Sequence, residues 1–525
     1  MANKSLFSSK GNSNKHSVKV VRKADTHNLA GGTAYKLSDK AALAQYAMTG
    51  TFQGTFYADG KSQLTKVLEM SNKVDEEFLA KLAVYSRQQG FMKDMPAVLA
   101  AVVAGRDSSL LEKIFPKVVD NPKMARNFVQ VIRSGATGRK SLGTRPKKLM
   151  QAYLSGLNDV QLFKANIGND PSLADMIKLV HPKPGSKSRN ALYAYLLGKE
   201  HSVEALPQLV RDFEVFKKEL GAEMPDVPFQ MLTALPLTKD HWKTIARNAT
   251  WNQIRQNLNT FARHGVFEDE KLVSALAEKL SNPDQVKRAK VFPYQLFTSY
   301  LNIDSSVPKK LSIALQKAAD LSLENIPEME GQVYVMVDVS GSMSWSITGN
   351  RGSATSKMQC VDVAALIASS ILRKNPETVI LPFDTSVHKT NLNPMDSIMT
   401  NANILRKFGG GGTNCSLPLA LLNQQKAKGN LVIYVSDNES WVDSTRSYGR
   451  GTETMNQWQK FKGRNPKAKL VCIDLNPNST TQAHDRPDIL NVGSFSDNVF
   501  NVVSTFTKFG NDKDLWVSEI EKVSL

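Results

Sequence analysis

The sequence predicts a two-part fold: an array of stacked α-helices followed by a doubly wound α/β domain. Three observations predict it. From about residue 38 to 330, apolar residues recur at helical spacing, with short loops and no strand signal. After Asn325-Ile326-Pro327, short apolar runs alternate with helical segments, the pattern of a mostly parallel sheet covered on both faces. The positive charge is also uneven. Residues 331–525 hold 20 of the 67 Lys and Arg and 17 of the 49 Asp and Glu, so residues 1–330 carry +15 of the net +18.

A strongly basic part beside a near-neutral one implies that the basic part meets a polyanion. With 41% apolar and 22% charged residues in 525, the chain has the composition of a globular protein of two or three domains. It has no 18-residue apolar run, so no membrane partner is expected. The first 23 residues lack an apolar signal core, which predicts no export. Cys360, Cys415 and Cys472 have no metal-type spacing and fit a reducing, cytoplasmic compartment.

In order along the chain, residues 1–30 are rich in Ser, Asn and Lys and are expected to form a flexible basic arm. Residues 31–330 form the helical part. Ser38-Asp39-Lys40 opens the first helix, and Val74-Asp75-Glu76-Glu77 precedes an apolar stripe of Phe78, Leu79, Leu82, Ala83 and Tyr85. Met95-Pro96 leads into 97–104, apolar on every side and therefore buried on every side. Segments 124–132, 146–153, 192–197, 242–261, 270–280 and 308–321 continue the pattern. Paired helices of this length stack as a solenoid, although no fixed repeat period appears.

Three basic segments interrupt the helices. The first, 133–148, carries Arg133, Arg139, Lys140, Arg145, Lys147 and Lys148, no acid, and three glycines that let backbone amides approach a phosphate. The second contains His181, Lys183, Lys187 and Arg189; the third contains Lys287, Arg288 and Lys290, before Phe292-Pro293-Tyr294. Each alone could be a solvated loop; together on one basic domain they favour nucleic acid. Arg247, between Trp242 and Trp251, adds a group suited to single-stranded bases. The helical setting favours core packing for the two tryptophans. No Gly-x-x-x-x-Gly-Lys-Ser/Thr motif appears, which argues against an ATPase.

Residues 331–525 form the α/β part. Predicted strands are 333–337, 378–384, 431–437 and 469–474; predicted helices lie near 358–373, 419–422, 453–463 and 495–506. The first strand runs into Asp338-Val339-Ser340-Gly341-Ser342, at the carboxyl end where open α/β sheets bind ligands. Another ends in Ser436-Asp437-Asn438-Glu439, and Thr413 lies in the glycine loop 409–416. Asp338, Ser340, Ser342, Thr413 and Asp437 offer five hard oxygen donors to a divalent cation, Mg2+ first, with Mn2+ or Ca2+ as alternatives.

Asp-x-Ser-x-Ser, then Gly-Gly-Thr, then a strand-terminal Asp resembles the metal-ion-dependent adhesion site of von Willebrand factor A-type domains. More closely, Val337–Met343, Gly411-Gly412-Thr413-Asn414-Cys415-Ser416-Leu417-Pro418 and Ser436–Glu439 resemble the Ro ribonucleoprotein family, the TROVE-domain proteins. Gly138-Arg139-Lys140, Pro146-Lys147-Lys148, Leu179–Pro184 and Arg288–Tyr294 resemble TROVE segments in the same order. Asn414 departs from vertebrate members, which have an acid there; it is not one of the five expected ligands. The compact loops suggest a bacterial or phage member.

The resemblance implies that HEAT-like helical pairs close into a ring (toroid) and that the A-type domain, 331–525, joins its ends. It implies binding of Y RNA on the basic outer surface and of single-stranded 3′ ends of misfolded noncoding RNA in a central hole. It further implies a role in RNA quality control, decay or stress response, association with an exoribonuclease such as polynucleotide phosphorylase, and no catalysis. The chain is expected to be a monomer. An acidic protein ligand could dock at the metal, making the chain a protein-interaction module; the metal could equally be structural. Metal-assisted hydrolysis, with Asp384 or Glu439 as base, has no further support in the sequence.

Overall fold

The computed structural model describes residues 21–289, 293–322, 326–350, 357–443, 451–496, 498–509 and 512–525. Helices fill the first part. Asp39–Thr49 starts at Ser38, whose side chain accepts the Ala41 N–H, and Glu76–Gln88 starts at Asp75, whose carboxylate accepts the Phe78 N–H at 2.7 Å. Helix Asp94–Arg106 is buried from Met95 to Ala104, as its apolar run requires, because Glu76–Gln88, Ser108–Val118 and Pro122–Arg133 pack around it.

Aromatic edges carry the stacking onward. Phe115 meets Phe128 with ring centroids 5.5 Å apart, Phe163 meets Phe213 at 5.5 Å, and Phe216 meets His241 at 5.3 Å. Trp242 stacks on His264 at 4.0 Å, and Trp251 donates its indole N–H to the Leu280 carbonyl at 3.0 Å. Both tryptophans are buried, so they pack the core and do not face an RNA base.

The second part is built on five parallel strands. In chain order, the strands among the described residues are β1 (Thr26–His27), β2 (Thr33–Lys36), β3 (Val333–Asp338), β4 (Val379–Phe383), β5 (Leu431–Ser436), β6 (Lys469–Asp474), β7 (Thr480–Thr481) and β8 (Ile489–Gly493). The large sheet has the order β4-β3-β5-β6-β8, with Val337 opposite Pro382 on one side and Val435 on the other. Alternation decides its two faces. Val333, Val335 and Val337 join the core that includes helix Cys360–Lys374; Tyr334 and Met336 join Leu419, Leu422, Trp458 and Phe461 from Ser416–Gln424 and Glu453–Arg464.

The helical array leaves the α/β domain and returns to it. At its start, Gln45 donates to the Asn476 carbonyl at 3.2 Å. At its end, Pro293–Leu301 packs on Cys360–Lys374, and Lys309–Leu321 packs on Ile398–Leu405. The chain therefore closes on itself, with the α/β domain joining the two ends of the array.

Three expectations need correction. Residues 21–30 are not a free arm: β1 and β2 form a hairpin, and β2 pairs with β7 of the α/β domain. Residues 1–20 lie outside the described residues, as do Lys290 and Phe292. The strand β8 is absent from the sequence reading, because Ile489-Leu490-Asn491-Val492-Gly493 is short and interrupted by Asn491. The last helix is also not the one near 495–506, which is Asn498–Phe509 in the structure. Leu515–Glu521 follows it and packs back on Glu76–Gln88.

Candidate metal centre and basic loops

Three loops meet at the carboxyl end of β3 and β5. Asp338 ends β3, and its Oδ1 accepts the Ser340 N–H at 2.9 Å, which turns the chain and brings Ser340 Oγ to 3.3 Å from Ser342 Oγ. The glycine loop is clamped to this turn: Gly410 N–H donates to the Val339 carbonyl at 3.1 Å, and Gly341 N–H to the Gly411 carbonyl at 2.9 Å. Only glycine suits position 409. Its φ is +102°, and a Cβ there would lie 1.7 Å from the Val339 carbonyl oxygen. Thr413 is tied to the third loop by its carbonyl, which accepts the N–H groups of Trp441 and Val442, both at 3.2 Å.

Asp437 follows β5, beside the Ser342 side chain. The five predicted donors, Asp338, Ser340, Ser342, Thr413 and Asp437, are thus on loops that converge, and all are between 0 and 5% exposed. Ser436 belongs to the same cluster and was missed: its hydroxyl donates to Asp338 Oδ2 at 2.5 Å. Its place at the end of a buried strand, one residue before Asp437, was the available signal.

The electrostatics ask for a cation. Burial, then the neighbouring Asp338 carboxylate, push the Asp437 pKa up to about 7, and burial also raises that of Asp338. Asp437 Oδ2 is buried with no hydrogen-bond partner. A buried carboxylate pair with an unpaired oxygen is costly, and a divalent ion would offset both the repulsion and the missing partner. The donor set, two carboxylates and three hydroxyls, fits a hard cation such as Mg2+. Among the described residues no group of three His, Cys, Asp or Glu side chains is placed to hold a metal, so such an ion would depend on the hydroxyls.

Next to this cradle, Glu439 is buried, and burial followed by Asp437 pushes its pKa up to about 8. It accepts N–H groups from Leu29 at 2.7 Å and Ala30 at 3.2 Å. Asp384, at the end of β4, accepts from the Ser386 N–H at 3.0 Å and lies 3.0 Å from His388 Nε2. Asp384 is therefore already engaged by protein groups, whereas Glu439 is engaged through one oxygen only, its Oε1 being buried without a hydrogen-bond partner.

The basic residues separate into two kinds. Arg139 donates to the carbonyls of Ala104 at 2.5 Å and Leu142 at 3.1 Å, holding its loop to helix Asp94–Arg106. Arg189 bonds to Asp159 Oδ1 at 2.5 Å and to the Leu157 carbonyl at 2.5 Å, joining neighbouring helices. Arg145 pairs with Glu112. By contrast Arg133, Lys140, Lys148, His181, Lys183, Lys187, Arg247, Lys287 and Arg288 are exposed, and Lys147 is half-buried. Arg133 ends Pro122–Arg133, Lys140 stands in the loop that follows, and Lys147 and Lys148 lie at the start of Thr144–Gly156. His181 caps Leu173–Val180 in the left-handed region, at φ 53°, and Lys183, two residues on, is exposed.

A helical array closed by a parallel α/β sheet, with a hydroxyl-and-carboxylate cradle at the sheet's carboxyl end, defines a von Willebrand factor A-type domain carried on a helical ring. Comparison with known proteins specifies the class. Residues 332–507 match the model of the Ro60 vWA domain, and residues 13–222 match that of the TROVE domain. The chain is 23% identical to the RNA-binding protein RO60 of Deinococcus radiodurans, over 94% of this chain and 97% of that one. It is 19% identical to the RNA-binding protein RO60 of Caenorhabditis elegans, over 39% of this chain and 32% of that one. The crystal structure of the Deinococcus radiodurans Ro (RSR) protein superposes with a TM-score of 0.61 at 19% identity, covering 90% of this chain and 99% of that chain. The chain belongs to the Ro family. Helices 239–321 lie beyond the matched TROVE interval, yet they continue the same array and complete its closure.

Proposed function

We propose that this protein is a non-catalytic RNA-binding protein of the Ro type. The observation that carries the reading is the cluster of Arg133, Lys140, Lys147 and Lys148. These cations stand on one acid-free segment that runs from the last residue of Pro122–Arg133 through the loop into the start of Thr144–Gly156, where the neighbouring Arg139 and Arg145 are taken up by protein partners. Cations that are exposed or, like Lys147, half-exposed on a helical scaffold hold phosphates without a sequence code, as RNA recognition by shape requires. The naming of both relatives as RNA-binding proteins supports the same reading.

In this reading Y RNA lies on the basic outer surface and the single-stranded 3′ end of a misfolded RNA enters the ring. The protein then serves RNA quality control, decay or stress response in the cytoplasm, as a monomer, with an exoribonuclease such as polynucleotide phosphorylase as partner. A Mg2+ ion held by Asp338, Ser340, Ser342, Thr413 and Asp437 supplies charge neutralisation and orders three loops. An acidic protein ligand at that ion is the less favoured role, because the donors are almost fully covered.

The test is binding of two labelled RNAs across a salt series, one a duplex with a 3′ single-stranded tail and the other the same duplex blunt-ended. Tighter, salt-sensitive binding of the tailed RNA is expected. Equal and weak binding of both would overturn the reading.

A further inference from the structure

The turn that carries Ser342 is covered by a segment from the beginning of the chain. The Asn350 N–H donates to the Gly54 carbonyl at 2.7 Å, and the two residues form an antiparallel bridge. Phe56 stands edge-on to Trp345, with centroids 5.8 Å apart, and to Tyr57 at 4.7 Å. Gly349 lies so close to Thr51 and Gln53 that a side chain there would strike both. These contacts set the Tyr57 hydroxyl against the Ser342 side chain, near Asp437.

A serine hydroxyl that gives a lone pair to a cation must turn its proton to another acceptor. The Tyr57 oxygen can take it. We propose that Tyr57 is a positioning residue of the cation site, so that the site is shared between the helical array and the α/β domain. A bound divalent cation then fastens the 51–58 loop onto the 341–350 turn at one of the two junctions that close the chain. The inference rests on the reading of Asp338, Ser340, Ser342, Thr413 and Asp437 as a cation site.

The experiment is Mn2+ titration of the full chain by electron paramagnetic resonance, with hydrogen exchange over residues 51–58. Tyr57→Phe keeps the ring and removes the oxygen. It is expected to weaken Mn2+ binding roughly tenfold, as loss of an outer hydrogen bond at a metal site does, while the melting transition without metal stays where it was. Mn2+ is expected to slow exchange over 51–58 in the unaltered chain, and less so in Tyr57→Phe. Equal Mn2+ affinity of the two proteins, or protection confined to 338–350 and 411–440, would overturn the inference. Absence of Mn2+ binding by the unaltered chain would instead sink the cation reading itself, and the inference with it.

Discussion

The Glu439 carboxylate accepts the Leu29 backbone N–H at 2.7 Å across 410 residues of sequence. Ala30 donates to the same oxygen, and Asn28 donates to the Ser440 carbonyl at 2.7 Å. Residues 28–30 are thereby fastened beside the candidate cation site. One polar and two apolar residues make no pattern that encodes that docking.

Glu439→Ala should release this segment. The partly buried N–H groups of Leu29 and Ala30 lose their acceptor, a cost of about 1 kcal/mol. Faster proteolytic cleavage within residues 21–36, with the parallel sheet unchanged by circular dichroism, is the expected result. An unaltered cleavage rate would show that the β2–β7 pairing alone holds the segment.

Asp437→Ala and Asp338→Ala should each abolish divalent-ion binding, measured by calorimetry with Mg2+ or Mn2+. Chelation should leave the affinity for tailed RNA within about twofold, because the exposed cations stand on another part of the chain. Loss of RNA binding on chelation, with the fold intact, would mean that the ion is coupled to the RNA surface.

Reversing Arg133, Lys140, Lys147 and Lys148 to Glu together should lower RNA affinity and flatten its dependence on salt. The log–log slope should fall by roughly 0.7–0.9 for each phosphate that is no longer neutralised. A filter-binding series from 50 to about 200 mM salt reads both. An unchanged slope would move the RNA to another face.

Arg189→Ala should behave differently from Lys187→Glu. Arg189 is mostly covered and joins Asp159 to the Leu157 carbonyl, so its loss strands a partly buried carboxylate and should cost about 2 kcal/mol in denaturant unfolding. Lys187 is exposed, and its change should alter RNA binding with stability kept within about 0.5 kcal/mol.

His484 predicts a pH dependence. Burial against Tyr35, whose ring centroid is 5.0 Å away, lowers its pKa below the ordinary 6.5. The unfolded chain therefore binds the proton more readily. The contribution of His484 to stability is complete above pH 6.5 and is lost as pH falls below it. Between pH 7.5 and roughly 5.5 the denaturation midpoint should fall less in His484→Gln than in the unaltered chain.

Several features were legible in local sequence. The wholly apolar 97–104 run had to be a buried helix, and it is. The apolar 333–337 run, ending in Asp338, had to be a central strand with its polar tail at the carboxyl end. Strand alternation and helical spacing are short-range rules, so such elements follow from neighbouring residues. The charge imbalance between the two parts was equally plain. The basic loops were legible only as a group. Which cations remain exposed depended on distant acceptors: the Ala104 carbonyl, 35 residues from Arg139, and Asp159, 30 residues from Arg189.

By itself, then, the sequence determined the two-part architecture, the strand and loop ends on which Asp338, Ser340, Ser342, Thr413 and Asp437 stand, and the location of the positive charge. The tertiary structure decided the rest: the docking of residues 21–36 on the α/β domain, the placing of Ser436 against Asp338 and Tyr57 against Ser342, and the return of Leu515–Glu521 to the first helices. The physical reason is common to all four. Each is a pairing of groups distant in the chain, set by how packed layers bring them together, whereas periodicity reports only which face of its own element a residue occupies.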